Sequence, residues 1–544
     1  MLERTAHAVT LSWGWRRAAV VAFAGAIGAL SLAPFHVFPV LWISFPVLVW
    51  ALDGAADLKG GGRLTRLGPA FLIGWAFGFG WFLAGLWWIG AAFLVDIAEF
   101  GWLLPVALAV MSIGLGLFHG LAAAIARLLW SDGPARIAAL ALGFFVADWL
   151  RGHVLTGFPW NLIGYGFAAN EPMMQIDAIL GGYGLTLLAV MVFAAPAVLS
   201  RGARADRRFA AAMAVVFVGV VAFGALRLRE ARTEFVPDVH LRLVQPAIDQ
   251  WAKWRPEFKT ETVERYVELS SRPALDASGK PLPDGLRGGA KGIPGITHLV
   301  WPESAFPFLL TNEPWALSTI AQLIGDHTNL LTGAVRAEAP AAGEVRHRYY
   351  NSIYALGRGA EILAAYDKAH LVPFGEYLPF QDLLESIGLR QLTKLRGGYS
   401  AGPGLRTIEI AGLPPFAPLV CYEIVFPGRV VDRAHPPQWM LNVTNDAWYG
   451  MTPGPWQHLH QARLRAVEEG LPVVRAANNG ISAVIDGNGR LVASLTLGAT
   501  GIVDADLPRP AAPTVFSRWG MLPSLVLALT AFSWAGYRRI HPVG

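Results

Sequence analysis

The sequence predicts a bundle of membrane-spanning helices joined to one α/β domain, whose two sheets are covered by helices. Hydrophobic residues make up 54% of the chain and charged residues only 15%. Apolar runs dominate roughly the first 230 residues and recur near the C-terminus, with alternating strand-like and helix-like segments between them. A chain of this composition must place much of its apolar surface against lipid.

About eight apolar segments are candidate membrane spans. The first follows Arg16 and Arg17 and has features of a signal peptide, but further spans follow at once and no clear cleavage site is present. We therefore interpret it as a retained helix. The eight segments are approximately residues 18–35, 37–52, 69–91, 102–126, 136–151, 174–199, 209–227 and 519–537. These segments predict a helical membrane domain over residues 1–230 and a last span with its tail over residues 517–544.

Basic residues collect in alternate loops of the apolar part. They are Lys59, Arg63, Arg66, Arg127, Arg136, Arg201, Arg204, Arg207, Arg208, Arg538 and Arg539. Because basic loops stay in the cytoplasm, both chain termini are predicted to be cytoplasmic and the α/β domain to lie on the other side. The net charge of +5 is modest, and this distribution favours membrane orientation over nucleic-acid binding.

Two features of the membrane part have an open role. Asp148 and Arg151 end the fifth span, where they could form a structural pair or take part in function. The aromatic loop 156–161 could be an interfacial anchor or could shape a lipid entry, and its composition favours the anchor.

The α/β domain is predicted over residues 238–507, where strand and helix patterns alternate. Strands are expected at about 239–244, 298–301, 329–334, 350–356, 362–367, 419–421, 439–443, 473–476, 482–485 and 491–495. Helices are expected at about 256–271, 315–326 and 456–470.

Three short motifs place reactive side chains directly after predicted strands. Glu303 lies in the motif WPES, Lys368 in YDKAHLVPFGEY, and Cys421, the only cysteine of the chain, in LVCYE. Each alone is weak, because a lone buried cysteine is usually structural and a charge at a strand end is usually solvated. Together they bring a nucleophile, a base and a cation to the strand ends of one domain.

The chemistry of a thiol nucleophile explains this combination. A thiol attacks as the thiolate, and a nearby carboxylate can take its proton. An ammonium group and the backbone N–H after the cysteine can stabilise the oxyanion of a tetrahedral intermediate. With a single cysteine, the chain cannot form an intrachain disulfide.

The three motifs resemble the Glu-Lys-Cys triad of the nitrilase superfamily. With the flanking spans and the segments LVQPAIDQWAKW, NVTNDAWYG and GPWQHLHQARLRAVEEGLPVVRAANNGIS, nearly the whole chain is similar to the bacterial apolipoprotein N-acyltransferases. The resemblance implies an αββα sandwich in which Glu303 is the general base, Lys368 the oxyanion-stabilising cation and Cys421 the nucleophile.

The resemblance also suggests supporting residues. Glu376 matches a second glutamate of the site, Tyr422 and Glu423 follow the nucleophile, and Trp254 matches an aromatic residue at the mouth of the site. Core packing is an equally good reading for Trp254 and Tyr422, and the role of Asn351 is open.

No cofactor or metal is expected. His458 and His460 lie two residues apart on a predicted helix, where they do not share a face, and no clear third ligand accompanies them.

The function implied by the resemblance is N-acylation of the N-terminal S-diacylglyceryl-cysteine of an apolipoprotein. The acyl donor would be a phospholipid, phosphatidylethanolamine, and transfer would pass through a thioester on Cys421. The enzyme would act as a monomer in the bacterial inner membrane, with its catalytic domain in the periplasm and without a nucleic-acid partner.

Two other readings stay open at this point. A membrane-tethered amidase would use the same triad to hydrolyse small amides, although a soluble substrate needs no eight-span platform. A transporter or receptor with a degenerate outer domain would show internal repeats and ionisable groups at mid-membrane, and the sequence shows no repeat.

Overall fold

A computed structural model describes residues 2–55, 67–249, 255–273, 293–340, 347–386 and 398–541. Helices occupy the positions of all eight predicted spans. The α-helices are α1 Leu2–Thr10, α2 Gly14–Gly28, α3 Leu41–Asp53, α4 Leu67–Leu86, α5 Ala91–Leu94, α6 Ile97–Phe100, α7 Leu103–Leu128, α8 Ala135–Arg151, α9 Ile163–Phe167, α10 Glu171–Met174, α11 Asp177–Ala194, α12 Arg204–Glu230, α13 Lys259–Ser270, α14 Pro314–Ile324, α15 Gln381–Ser386, α16 Pro453–Glu469, α17 Val515–Trp519 and α18 Leu522–Ile540.

Several of these helices are long and apolar enough to cross a membrane. Among the described residues, four stretches meet this criterion by length and composition, and they are Leu67–Leu94, Leu103–Leu128, Asp177–Arg201 and Arg204–Glu230. The predicted membrane character of the first part of the chain is thus supported, while the count of eight spans stays a prediction.

Glycines let the helices of the bundle approach closely. A Cβ atom on Gly25 of α2 would lie 2.0 Å from the carbonyl oxygen of Phe77 in α4. A Cβ atom on Gly80 of α4 would lie 1.8 Å from the carbonyl oxygen of Ala22. These helices therefore pack backbone against backbone, as helices in lipid commonly do through small residues.

In the part of the chain that the structure describes, twelve strands form two six-stranded sheets. The strands are β1 Phe235–Gln245, β2 His298–Trp301, β3 Asn329–Glu338, β4 Arg348–Leu356, β5 Ile362–Asp367, β6 Ile408–Ile410, β7 Leu413–Val420, β8 Trp439–Thr444, β9 Val473–Ala477, β10 Ser482–Ile485, β11 Leu491–Leu495 and β12 Gly501–Pro508. The first sheet has the order β12-β1-β2-β3-β4-β5 and the second β11-β10-β9-β8-β7-β6.

Each sheet has a parallel centre and antiparallel flanks. Strands β1, β2 and β3 run parallel in the first sheet, and β7, β8 and β9 run parallel in the second. Most residues of β2, β7 and β8 are apolar and buried, because both faces of these strands are covered. Strands β2 and β7, which precede Glu303 and Cys421, both belong to these centres, and their carboxyl ends carry the predicted reactive groups.

The domain has four layers, and the last layer is shared with the membrane bundle. The two sheets bury a common core that includes Leu241, Val300, Leu441 and Val474. Helices α13 and α14 cover the outer face of the first sheet. Helix α16 covers the second sheet, and its apolar residues join the same core as the helices of the bundle. This layer of the α/β domain is therefore packed directly against the apolar helices.

All the predicted strands are present, and two strands were not predicted. Strand β6 has only three residues, and β12 carries charged residues in its second half. Both pair antiparallel with a neighbouring strand, β6 with β7 and β12 with β1. Pairing with these neighbours, rather than a local apolar pattern, makes them strands.

Candidate active site

Cys421 lies at the first position after β7, buried between the sheets. Its backbone has φ +52°, which is uncommon for a residue other than glycine. A 3₁₀ helix, Cys421–Val425, begins at this residue and turns the chain away from the strand. The turn is rigidly held, and such strained positions cluster where side chains must be presented for chemistry.

Glu303 follows β2 on the facing sheet, and it is also buried. Its carboxylate accepts hydrogen bonds from the side-chain amide of Asn351 (2.7 Å) and from the backbone N–H of Asn445 (2.8 Å). Ser304, the next residue, has φ +47°, so the chain bends sharply after the glutamate. These contacts fix the orientation of the carboxylate.

Lys368 follows β5 and is almost completely buried. Its Nζ lies 2.8 Å from Oε2 of Glu376, in an ion pair that has almost no exposed surface. The amide nitrogen of Asn351 donates to Oε1 of Glu376 (2.8 Å) as well as to Glu303. Asn351, whose role the sequence left open, thus bridges the two carboxylates.

The charges of these groups act on one another and on the thiol. Burial and the negative charge of Glu303 raise the pKa of Cys421 above its usual range, while the positive charge of Lys368 acts in the opposite direction. Burial alone would lower the pKa of Lys368, but the nearby carboxylates of Glu376 and Glu303 outweigh it and raise that pKa. At neutral pH the site therefore holds a thiol and a charged ammonium.

Glu423 ties the turn of the nucleophile to the loop that carries Lys368. Its Oε1 accepts from the hydroxyl of Tyr366 (2.8 Å) and from the N–H groups of Ala369 (2.8 Å) and His370 (3.1 Å). Its Oε2 accepts from the N–H of Val420 (2.7 Å). Burial raises the pKa of Glu423, and these hydrogen bonds oppose that shift by stabilising the carboxylate. Glu423 braces the two strand ends and does not itself face an open space.

Tyr422 packs against the loop at residues 156–161 of the membrane part. Its hydroxyl donates to the carbonyl oxygen of Gly157 (3.1 Å), and its ring lies parallel to that of Trp160 at 6.4 Å. Trp160 is only 1% exposed, and its indole N–H donates to Gln457 of α16 (2.9 Å). The interpretation of this loop as an interfacial anchor is therefore wrong, because its tryptophan is buried against the α/β domain.

The predicted pair of Asp148 and Arg151 holds this loop. The two side chains form a buried ion pair at 2.9 Å. Arg151 also donates to the carbonyl oxygens of Phe158 (2.6 Å) and Trp160 (2.7 Å). The pair thus has a structural role, and it connects α8 to the wall of the site.

A second polar network lies beneath Cys421. Nε2 of His458 donates to the carbonyl oxygen of Cys421 (3.1 Å), and its Nδ1 lies 2.9 Å from Asp446. Arg475 donates to Asp446 (2.6 Å) and to the side-chain oxygen of Asn442. Burial alone would raise the pKa of Asp446. The nearby Arg475 and His458 outweigh burial and lower this pKa to about 2.

This network does not suit a metal ion. Cys421, Asp446 and His458 offer ligand atoms within 4.8 Å of one another. However, the guanidinium of Arg475 already compensates the carboxylate, and the His458 ring is committed to the carbonyl oxygen of Cys421. The arrangement holds the nucleophile turn in place.

The structure thus brings together Glu303, Lys368, Cys421, Glu376, Asn351 and Glu423, with Tyr422 at the wall. Trp254 lies outside the described residues. Sequence reasoning missed Asn445, Asp446 and Arg475, and it considered His458 only as a metal ligand, which it rejected. The segments NVTNDAWYG and GPWQHLHQ pointed to the right stretches, but nothing in them specified these contacts.

Comparisons with known proteins agree with this architecture. The family model for the apolipoprotein N-acyltransferase N-terminal domain matches residues 24–195, and the carbon-nitrogen hydrolase model matches residues 241–513. A protein of Rhodopseudomonas palustris named apolipoprotein N-acyltransferase is 46% identical, over 100% of this chain and 99% of its own length. The chain belongs to the apolipoprotein N-acyltransferase family.

Further members of the family are equally similar. The apolipoprotein N-acyltransferase of Bradyrhizobium diazoefficiens is 47% identical, over 99% of both chains. Among solved structures, an amidase from Nesterenkonia sp. is similar to half of this chain (50%) and to 92% of its own, with 18% identity and a TM-score of 0.32. The assignment to the N-acyltransferase family rests on the full-length relatives.

Proposed function

We propose that this protein N-acylates the N-terminal S-diacylglyceryl-cysteine of apolipoproteins, with a phospholipid as the acyl donor. The observation that carries the proposal is the buried set of Cys421, Glu303 and Lys368, next to Tyr422, which packs against the loop at residues 156–161 of the membrane part. A donor that resides in the membrane and an acceptor that carries two acyl chains both suit such a position.

In the first half-reaction, Cys421 attacks the sn-1 ester carbonyl of the donor, for which we propose phosphatidylethanolamine. Glu303 takes the thiol proton as the C–S bond forms. Lys368 and the backbone N–H of Tyr422 stabilise the oxyanion. The ester C–O bond then breaks, the lysophospholipid leaves with the proton from Glu303, and a thioester remains on Cys421.

In the second half-reaction, the free α-amine of the diacylglyceryl-cysteine attacks the thioester. Glu303 accepts a proton from the amine, and the same donors stabilise the second oxyanion. The C–S bond breaks, the thiolate of Cys421 is protonated again, and the amide product leaves. The two half-reactions constitute a ping-pong acyl transfer.

The electrostatics of the site support these roles. Because the pKa of Cys421 is raised, the resting thiol needs a base, and Glu303 is the carboxylate whose charge acts on it more strongly than that of Asp446. Because the pKa of Lys368 is raised, the ammonium persists throughout the working pH range. Glu376 and Asn351 orient Lys368 and Glu303, and neither needs to exchange a proton.

We further propose that the chain spans the inner membrane of a bacterium eight times, as a monomer. The domains would be residues 1–230 and 517–544 in the membrane and 238–507 in the periplasm, with both termini in the cytoplasm. Charge in alternate loops supports this orientation.

A membrane-impermeant maleimide added to intact spheroplasts should label Arg358→Cys but not Arg207→Cys, in a Cys421→Ala background. Labelling of only Arg207→Cys would show that the chain has the opposite orientation.

The transfer reaction is tested with purified protein, phosphatidylethanolamine and a synthetic peptide that begins with S-diacylglyceryl-cysteine. We expect the peptide to gain one acyl chain on its α-amine, detected by mass spectrometry, and the Cys421→Ala variant to give no product. Release of ammonia from a small amide without any lipid, together with no acylated peptide, would instead establish a membrane-tethered amidase.

A further inference from the structure

A crevice separate from the active site lies where α12 and α11 meet the α/β domain. Its volume is about 1000 Å³. Its wall on the domain side includes Pro414, the second residue of β7, and Gln438, just before β8. Cys421 follows the opposite end of β7, which at a rise of about 3.3 Å per residue places it more than about 20 Å from the crevice.

The lining changes from apolar to charged along the last turns of α12. Phe223, Arg227 and Glu230 line the crevice from positions four and three residues apart, so they share one face of the helix. Ile179, in the first turn of α11, extends the apolar part, and Arg232 follows the end of α12. An apolar base beneath a charged rim is what the end of a membrane-spanning helix presents at the lipid headgroups.

Asp486 lines the crevice, accepts a hydrogen bond from the hydroxyl of Thr233 (2.8 Å) and acts on the charge of Arg227, but four further charged groups are not neutralised in this way. Within the described part of the chain, Arg232 and Arg509 form no ion pair with a carboxylate, and neither do Glu230 and Glu234. Arg509 donates to the carbonyl oxygen of Phe235 (3.1 Å). Arg227 likewise donates to the side-chain amide oxygen of Gln175 (2.7 Å) rather than to a carboxylate. Charges of both signs therefore surround one space that is large enough to keep them apart.

We propose that this crevice binds the headgroup of a zwitterionic phospholipid with a primary ammonium. The phosphate would lie against Arg232 and Arg509, since guanidinium groups bind phosphate with paired hydrogen bonds. The ammonium would lie against Glu230 and Glu234. The acyl chains would run past Phe223 along α12. Only 11% of the most apolar stretch of this helix is buried within the protein, so its surface is free to contact lipid. This lipid is a resident ligand and not the acyl donor, so the inference goes beyond the proposed function.

The binding test uses native mass spectrometry of the full chain with Cys421→Ala, so that no lipid is consumed. The protein is stripped of lipid in detergent and incubated with dioleoylphosphatidylethanolamine. We expect Arg232→Ala combined with Arg509→Ala to retain one phospholipid fewer than the parent. The matched control, Arg272→Ala with Arg358→Ala, removes two exposed arginines that pair with Glu268 and Asp326 and should retain as many as the parent.

Equal retention by the crevice variant and the parent would overturn the proposal. A thermal unfolding midpoint equal to that of the parent shows that the variant is folded, which we expect because both arginines are exposed. Dioleoylphosphatidylglycerol and dioleoylphosphatidylcholine should be retained less well at this site. Equal retention of either would contradict recognition of a primary ammonium.

A last measurement separates the crevice from catalysis. In the chain that keeps Cys421, the Arg232→Ala and Arg509→Ala variant should form the acyl-enzyme as the parent does. Loss of acylation in this variant alone would place the crevice on the route of the donor and overturn its role as a separate site. Absence of acylation in the parent as well would count against the proposed function and leave the lipid-binding result standing.

Discussion

The thiol of Cys421 lies in surroundings that disfavour its thiolate, because it is buried and faces the negative charge of Glu303. Its attack must therefore be coupled to proton transfer, unlike that of a cysteine whose pKa is lowered by a neighbouring cation. Lys368 is present, but its charge is shared with two carboxylates. At the residue scale, the proposed mechanism depends on a base that is already oriented, and Glu303 is held by two hydrogen bonds.

Glu303→Gln should slow formation of the acyl-enzyme by about 100- to 10,000-fold, the usual contribution of a general base. The amide keeps the size of the side chain but cannot accept the thiol proton. The measurement is the rate of mass gain on Cys421 after mixing with phosphatidylethanolamine.

Glu361→Gln is the matched control, because Glu361 is an exposed glutamate of the same sheet, just before β5. It should acylate at the rate of the parent. If a folded Glu303→Gln variant also acylates at the parental rate, Glu303 is not the base.

The three residues for which we propose catalytic roles could be singled out from the sequence, because each lies just after an apolar strand and its residue type suits the proposed chemistry. The residues that orient them could not. The N–H of Asn445 meets the carboxylate of Glu303 across 142 positions of the chain. His458 meets the carbonyl oxygen of Cys421 across 37 positions. Contacts of this kind depend on how the two sheets face each other, and a local pattern of the sequence does not predict that arrangement.

At the scale of elements, the ends of β5 and β7 are joined by a single side chain. Glu423 accepts four hydrogen bonds, and they come from both strand ends and from Tyr366. Because β5 and β7 belong to different sheets, this carboxylate sets the position of the nucleophile relative to Lys368.

Glu423→Gln should lower the free energy of unfolding by about 1–3 kcal/mol, since one acceptor oxygen becomes an N–H donor that faces other buried donors. Acyl-enzyme formation should fall in parallel as the two strand ends loosen. Chemical or thermal unfolding followed by tryptophan fluorescence provides the measurement. Glu409→Gln, at an exposed position of β6, should change neither quantity, and equal effects of the two substitutions would refute the bracing role.

The elements show the same limit of sequence reasoning. Helices and strands with a clear apolar period were predicted at their observed places, including β2, β8 and α16. The loop at 156–161 was predicted as a lipid anchor because its aromatic composition suits a membrane interface. The indole N–H of its tryptophan instead donates a hydrogen bond to α16, and the ring stacks on Tyr422. Composition cannot distinguish an interface with lipid from one with another domain.

At the scale of the whole molecule, the bundle and the catalytic domain share one core through α16. Gln457 of α16 accepts hydrogen bonds from the indole groups of Trp88 (3.0 Å) and Trp160 (2.9 Å), which belong to the membrane part. The next residue, His458, supports the nucleophile turn. Stability of the catalytic site is therefore tied to the stability of the assembled chain.

Burial of two histidines should make the protein less stable as the pH falls from 7 to 5. Burial lowers the pKa of both His298 and His370 to about 4, from an ordinary value of 6.5. The folded chain then binds fewer protons than the unfolded chain between these pH values, so stability rises with pH across the window and is lost as pH falls through it. Each histidine contributes at most about 1.4 kcal/mol per pH unit.

The thermal unfolding midpoint, measured at a fixed scan rate, should therefore drop between pH 7 and pH 5. The drop should be smaller in His298→Gln than in the parent, while His347→Gln, at an exposed position, should keep the parental drop. A drop of the same size in His298→Gln and in the parent would show that this histidine is not held neutral by burial.

The central claim is that an acyl chain passes through Cys421, and intact-protein mass spectrometry tests it directly. After incubation with phosphatidylethanolamine, the purified protein should gain the mass of one acyl chain, and hydroxylamine should remove it. Because the chain has one cysteine, Cys421→Ala is a complete control and should gain nothing. A folded parent protein that gains no acyl chain, or a gain that persists in Cys421→Ala, would contradict the account.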